Sequence, residues 1–191
     1  TSLDHREVEV EGASLSDTEG KLRGASRLRF SLEKNHLHVS VAGQTLKAVA
    51  GEQIILKAQG PIKIASIKRA GGNSPPSYLG EIRVANLKGK LRVSLRVSLD
   101  QYLRGVLTSE MPASYHFEAL KCQALAARTY ALKPRLPHDR DNANVCDSYM
   151  CCQFFAGLGQ IDERIERAVV ATAGQVLTYQ GQPLLALFSS N

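Results

Sequence analysis

Near residue 100 the hydrophobic pattern of this chain changes period, so no single kind of secondary structure can satisfy it. Before that point apolar residues alternate with polar ones, the period of a strand with one buried face. Leu28, Phe30 and Leu32 form one such set, and Leu37, Val39 and Val41 form another after Lys34-Asn35. Ile62 and Ile64 follow Gly60-Pro61, then come Ile82 and Val84, and finally Leu91, Val93, Leu95, Val97 and Leu99. Gly43, Gly51, Gly71-Gly72-Asn73, Pro75-Pro76 and Gly89 supply turn signals between them. Residues 1–99 are therefore expected to form short antiparallel strands, with a frayed N-terminus and a mobile loop near 70–77.

From Asp100 the period is helical. Leu103, Val106, Leu107 and Glu110 recur at i, i+3, i+4 and i+7, which puts Glu110 on the face of three apolar residues. Asp100 is the expected N-cap, and Pro112 stops the helix. A second helix is expected over 115–132 with Ser114 as cap, its Ala119, Ala124, Ala126, Ala127 and Ala131 permitting close packing. A third covers 161–173, with Gly174 as its stop. Gln175–Tyr179 and Pro183–Ser189 read as a hairpin around Gln180-Gly181. The expected class is α+β: a strand-rich N-terminal part (1–99) packed with a helical segment and a C-terminal hairpin (100–191), as one unit or two joined subdomains.

Composition narrows the partners. With 191 residues and 43% apolar content, the chain can bury a core without disulfides or metal. No run approaches the roughly 20 apolar residues of a membrane helix. The polar start TSLDHREVEVEG is no signal peptide, and Thr1 in place of Met reads as a processed or trimmed end. The net charge of +6 suits a polyanion, but Lys90, Arg92 and Arg96 alternate with Leu91, Val93 and Leu95 as solvated strand faces do. Trp is absent, and no basic block interleaves with aromatics. Nucleic acid is not an expected partner.

Three kinds of residue carry chemistry. Burial on an apolar helix face would disfavour the ionised form of Glu110, as a general acid requires; a helix-end Glu can equally reach water. Arg128, among small alanines, suits a bidentate carboxylate pair or a sugar substituent, or else an exposed helix face. His138, Cys146 and Cys152 are zinc-type ligands, although their spacing departs from the short C-x₂₋₄-C knuckle. Cys151 leaves open which thiol binds, Asp147 is a candidate outer partner, and a disulfide or free thiols are as consistent with the spacing.

Three segments together add a resemblance. YLRGVLTSEMPASYHFEALKCQALAARTYAL (Tyr102–Leu132), CDSYMCCQFFAG (Cys146–Gly157) and AVVATAGQVLTYQGQPLLALFSSN (Ala168–Asn191) resemble the stage II sporulation protein D (SpoIID) family, which includes domains called amidase enhancers. The resemblance covers about the last 90 residues. It implies a lytic transglycosylase that cleaves the MurNAc-GlcNAc bond of peptidoglycan, preferably of denuded glycan strands, leaving 1,6-anhydro-MurNAc ends. The alternative it implies is a non-catalytic enhancer of an N-acetylmuramoyl-L-alanine amidase. Location would be the cell envelope, on its periplasmic or extracellular face, with a membrane anchor in the full-length protein.

Residue by residue, the resemblance places the catalytic glutamate of the EM pair on Glu110 and the arginine of ARTY on Arg128. Gln123, Tyr130 and Gln153 become candidate substrate hydrogen-bonders. His138, Cys146 and Cys152 become ligands of one structural Zn²⁺ that catalysis does not require. Three departures stand out. Cys122 replaces a small residue, which suggests a buried thiol; Cys151 replaces a histidine found in several relatives; and FSSN ends the chain where a Gly-Gly-x-Thr stretch is expected, as in a truncated or shortened form.

Overall fold

Two-residue turns set the register of the strand-rich half. Lys34-Asn35, Ala42-Gly43 and Lys88-Gly89 all adopt positive φ at both positions, the twist that matches two antiparallel strands. In the computed structural model, which describes residues 2–20, 22–46, 52–67, 76–133, 138, 142–157 and 159–188, two compact units emerge, 1–97 and 98–191.

The first unit contains β1 (Ser2–His5), β2 (Glu7–Asp17), β3 (Ala25–Glu33), β4 (His36–Val41), β5 (Gln44–Leu46) and β6 (Gln53–Lys57). It continues with β7 (Ile62–Ile64), β8 (Ser77–Tyr78), β9 (Glu81–Leu87) and β10 (Lys90–Arg96). The sheet order is β1-β10-β9-β6-β2-β3-β4-β5, with β7 bridging β2 and β8. All pairings are antiparallel. Strand β2 serves two neighbourhoods because its register shifts between Glu11 and Leu15, where Ser14 takes φ 54. Its first half pairs with β3 and β7, its second with β6. Such a bulge bends the strand and increases its twist. Val8, Val10, Leu28, Phe30, Leu56, Ile62, Ile82, Val84 and Leu91 fill the core. The buried Asn86 on β9 gives its amide to the Asn35 carbonyl at 2.7 Å, linking β9 to the β3–β4 turn.

Here the structure corrects the sequence reading. The N-terminus is not frayed: Ser2–His5 and Glu7–Asp17 are strands, and Val8 and Val10 are completely buried. Ser77, expected in a mobile loop, lies in β8, while residues 70–75 of that loop fall outside the described residues. Leu99 opens a helix rather than ending a strand.

The second unit is built on α1 (Leu99–Glu110), α2 (Phe117–Leu132) and α3 (Glu163–Ala171). Caps define their starts. Ser98, not Asp100, caps α1 by accepting from Gln101 N at 3.3 Å. His116, not Ser114, caps α2 through Nδ1, and Asp162 caps α3. Leu103, Val106, Leu107, Leu120, Ala124, Ala127, Ile165, Ala168 and Val169 make the core among these helices. Of the α2 alanines, Ala124, Ala127 and Ala131 are buried. The hairpin around Gln180-Gly181 is present, with short strands β11 (Thr178–Tyr179) and β12 (Gln182–Pro183). The α+β class thus holds. Among the described residues no helix is long and apolar enough to cross a membrane.

A fork between Arg104 on α1 and Glu166 on α3 ties two helices together, with Nη2 to Oε1 at 2.7 Å and Nε on Oε2. The hydrogen bond from Arg104 holds the Glu166 carboxyl below its ordinary 4.5. A depressed folded-state value means stability that is present above 4.5 and lost as pH falls below it. With 41% of the Glu166 side chain exposed, solvent screening limits the gain to less than about 1 kcal/mol. Glu166→Gln is accordingly expected to melt slightly below wild type at pH 7. The difference should close in acid and shrink in high salt, as thermal denaturation across pH would register.

Candidate active site and metal centre

Glu110 is the last residue of α1, and its position explains its exposure. The apolar stripe beneath it is fully buried, yet the helix ends at Glu110, so the side chain is only half-buried. Its Oε1 accepts a 2.6 Å hydrogen bond from the backbone N–H of Phe154. The carboxyl is therefore oriented by the backbone of a distant segment.

That segment, Gln153–Gly157, runs along α1. Phe155 stacks at 5.2 Å from the Tyr102 ring, and Ala156 N donates to Ser109 Oγ at 3.4 Å. The Gln153 side chain is buried, accepting from Tyr102 OH at 2.9 Å and donating to the Ala127 carbonyl at 3.4 Å. Burial pushes the Tyr102 hydroxyl well above the usual phenol range, which keeps it a donor.

Of the three residues considered for substrate contacts, none is exposed. Gln123 and Tyr130 are buried like Gln153, and Tyr130 OH donates to the Cys151 carbonyl at 3.3 Å. Arg128 is 2% exposed. Its Nη1 donates to Thr172 Oγ1 (3.2 Å) and to the Gln175 carbonyl (3.3 Å), and Nη2 to the Val169 carbonyl (3.3 Å). Its ion-pair partner is Asp100, at 3.6 Å. Among the described residues it makes no ion pair with Glu110. These carbonyls belong to the last turn of α3 and just beyond, where a helix leaves acceptors unpaired and carries partial negative charge. Arg128→Ala would take a donor from the buried Val169 carbonyl and the part-buried Gln175 carbonyl and leave a cavity, a cost of about 3 kcal/mol. A lowered denaturation midpoint should result, read by circular dichroism.

The cysteines give the clearest cluster. All four thiols are free; Cys122 is exposed, contrary to the buried position expected for it. Cys146, Cys151 and Cys152 gather with His138 so that their four ligand atoms lie within 4.8 Å of one another. His138 Nε2 is 3.4 Å from Cys151 Sγ and 3.2 Å from Cys152 Sγ, and the two sulfurs are 3.9 Å apart. Donors on a tetrahedral zinc, with Zn–S near 2.3 Å, stand roughly 3.5–3.8 Å from one another. These four residues could hold a metal ion. The sequence reading chose three of them; Cys151 is the one it left open. A tight turn in which Cys151 N and Cys152 N both donate to the Ser148 carbonyl turns adjacent thiols toward one imidazole.

Charge reinforces the fit. Burial pushes the Cys146 thiol up to about 12. Burial also opposes the Cys152 thiolate, but hydrogen bonds from the Cys146 backbone and the Tyr130 hydroxyl outweigh it and pull that thiol below its ordinary value. A dication at this cluster would favour the thiolates as their protons leave.

Residues 87–179 match the family profile described as SpoIID, Stage II sporulation protein. Stage II sporulation protein D of Bacillus subtilis (strain 168) is 30% identical over 157 residues, 75% of this chain and 43% of the relative. The protein of the same name from Bacillus amyloliquefaciens is 32% identical over 108 residues, 49% of this chain and 31% of the relative. The Amidase enhancer of Bacillus subtilis (strain 168) is 37% identical over 89 residues, 47% of this chain and 12% of the relative. The chain spans less than half the length of each of these curated relatives. Residues 87–179 therefore form a SpoIID-family domain.

Proposed function

We propose that this protein remodels the bacterial cell wall as a peptidoglycan lytic transglycosylase, with Glu110 alternating as acid and base. One observation carries the reading: a half-buried carboxyl with Oε1 fixed by Phe154 N–H, which leaves Oε2 to carry the transferable proton. Bound glycan would lie with the MurNAc-GlcNAc oxygen at Oε2. Glu110 gives its proton to that oxygen as the C1–O bond breaks. The C6 hydroxyl of the same MurNAc then attacks C1, closing the 1,6-anhydro ring, and its proton returns to Glu110. No water is consumed, so no second carboxylate is needed to activate one.

In this proposal Arg128 and Gln153 position the helices and the Phe154 segment, since their polar groups are engaged within the unit. His138, Cys146, Cys151 and Cys152 would hold one structural zinc, clamping the chain just before Gln153. The metal supplies charge to hold thiolates together, and the glycosidic chemistry uses none of it. A peptidoglycan substrate would place the protein in the cell envelope.

A second reading is favoured by the relative named Amidase enhancer: the domain would bind glycan and stimulate a cell-wall amidase without cleaving. Incubation with denuded glycan strands separates the two. New anhydro-muramic ends that require Glu110 support the enzyme. Sedimentation of the protein with the strands, in the absence of new ends, supports the enhancer.

A further inference from the structure

Gly105 occupies the middle of α1, a position where alanine would serve the helix better. Contact explains its presence. A Cβ at Gly105 would stand 2.3 Å from Phe155 Cε2, 2.7 Å from Phe155 Cδ2 and 3.2 Å from the Gly157 carbonyl oxygen. The bare backbone at Gly105 is thus the seat on which the Gln153–Gly157 segment rests. One turn further along α1, Ser109 Oγ accepts from Ala156 N, and Glu110 Oε1 accepts from Phe154 N. Tyr102, one turn back, holds both the Phe155 ring and the Gln153 amide. Four residues of one helix therefore grip one extended segment, and the last grip is the carboxyl itself.

We infer that Gly105 is a positioning residue: by seating Phe155 it holds the Phe154 N–H on Glu110 and aims the carboxyl at the scissile oxygen. This inference rests on the transglycosylase reading for its catalytic consequence, but not for its structural one. A methyl at Gly105 must lift the segment, because the rigid ring and the Gly157 backbone have no low-cost way to yield. Lifting it withdraws the Phe154 donor from Oε1. The aim of a catalytic group is sensitive to such shifts, and a displacement of about 1 Å can cost roughly 10²-fold in rate. Substrate held by other contacts would still bind.

The test compares wild type, Gly105→Ala and Glu110→Gln in the full chain. The amide proton resonance of Phe154 is read by NMR, alongside kcat and KM on denuded glycan strands. In wild type that resonance should lie downfield, as befits a short 2.6 Å bond to the Glu110 carboxyl, and move upfield in Glu110→Gln. In Gly105→Ala it should move the same way while remote amides stay put, with kcat down roughly 10²-fold and KM within about twofold. Should Gly105→Ala fail to fold, Phe155→Leu, which leaves α1 unaltered, must show the same displaced resonance. A folded Gly105→Ala protein with wild-type kcat and an unmoved Phe154 resonance overturns the inference. A Phe154 resonance that responds as expected in a wild-type protein unable to cleave glycan leaves the seat intact and removes the transglycosylase reading instead.

Discussion

Glu110→Gln is expected to lower the rate of glycan cleavage by about three orders of magnitude, the middle of the range that general acid–base catalysis contributes. The amide is nearly isosteric and can still accept from Phe154 N, so the fold and the segment it orients should persist. What is lost is the ability to give and retake a proton. Because one group performs both transfers, no external acid restores the reaction, and KM should change little. Glu110→Asp tests geometry instead. It keeps the titratable group but shortens its reach, so an intermediate loss is expected. Equal losses in both variants would mean that position outweighs protonation.

The second large effect concerns the cysteine cluster. If one zinc is held by His138, Cys146, Cys151 and Cys152, metal binding adds to the stability of the folded unit. At a free metal concentration about 1,000 times Kd the gain is about 4 kcal/mol. Stripping the ion with a chelator, or introducing His138→Ala, should therefore lower the melting temperature substantially, and zinc should restore it only in the chelated wild type. Cys151→Ser should fall between wild type and Cys146→Ser, because Cys151 is exposed whereas Cys146 is buried. Elemental analysis of protein purified without a metal-affinity column should give one zinc per chain; a melting temperature indifferent to chelator would contradict the assignment.

Much of the architecture was legible because hydrophobic period and turn chemistry are local. Strands β3, β4, β9 and β10 announce themselves through alternation and through Lys34-Asn35 and Lys88-Gly89. Strand β2 alternates too, with Val8 and Val10 between glutamates, but its place at the chain start masked the signal. In β6, Ile55 between Ile54 and Leu56 turns alternation into an apolar run that period cannot assign. The α1 cap moved from Asp100 to Ser98 because capping depends on backbone angles, and Ser98 is extended with ψ 147.

The site divides in the same way. Spacing put Glu110 on the apolar face of its helix but left open whether its end reaches water; in the structure the residue is half-buried. Its partner could not be read: Phe154 contributes a backbone N–H from 44 residues away, which no side-chain pattern encodes. Arg128 looked equally suited to a carboxylate or to solvent, and its real neighbours, the carbonyls ending α3, exist only once two helices pack. Cys151 was obscured by its neighbour, because only the turn on Ser148 directs both thiols to His138.

Digestion of denuded glycan strands in water enriched in heavy oxygen, followed by mass analysis of the new ends, tests the proposed chemistry most directly. Closure of the ring by the sugar's own hydroxyl predicts ends one water lighter than reducing MurNAc and free of solvent oxygen. Reducing ends carrying the heavy isotope would show that water was the nucleophile and contradict the single-carboxylate mechanism.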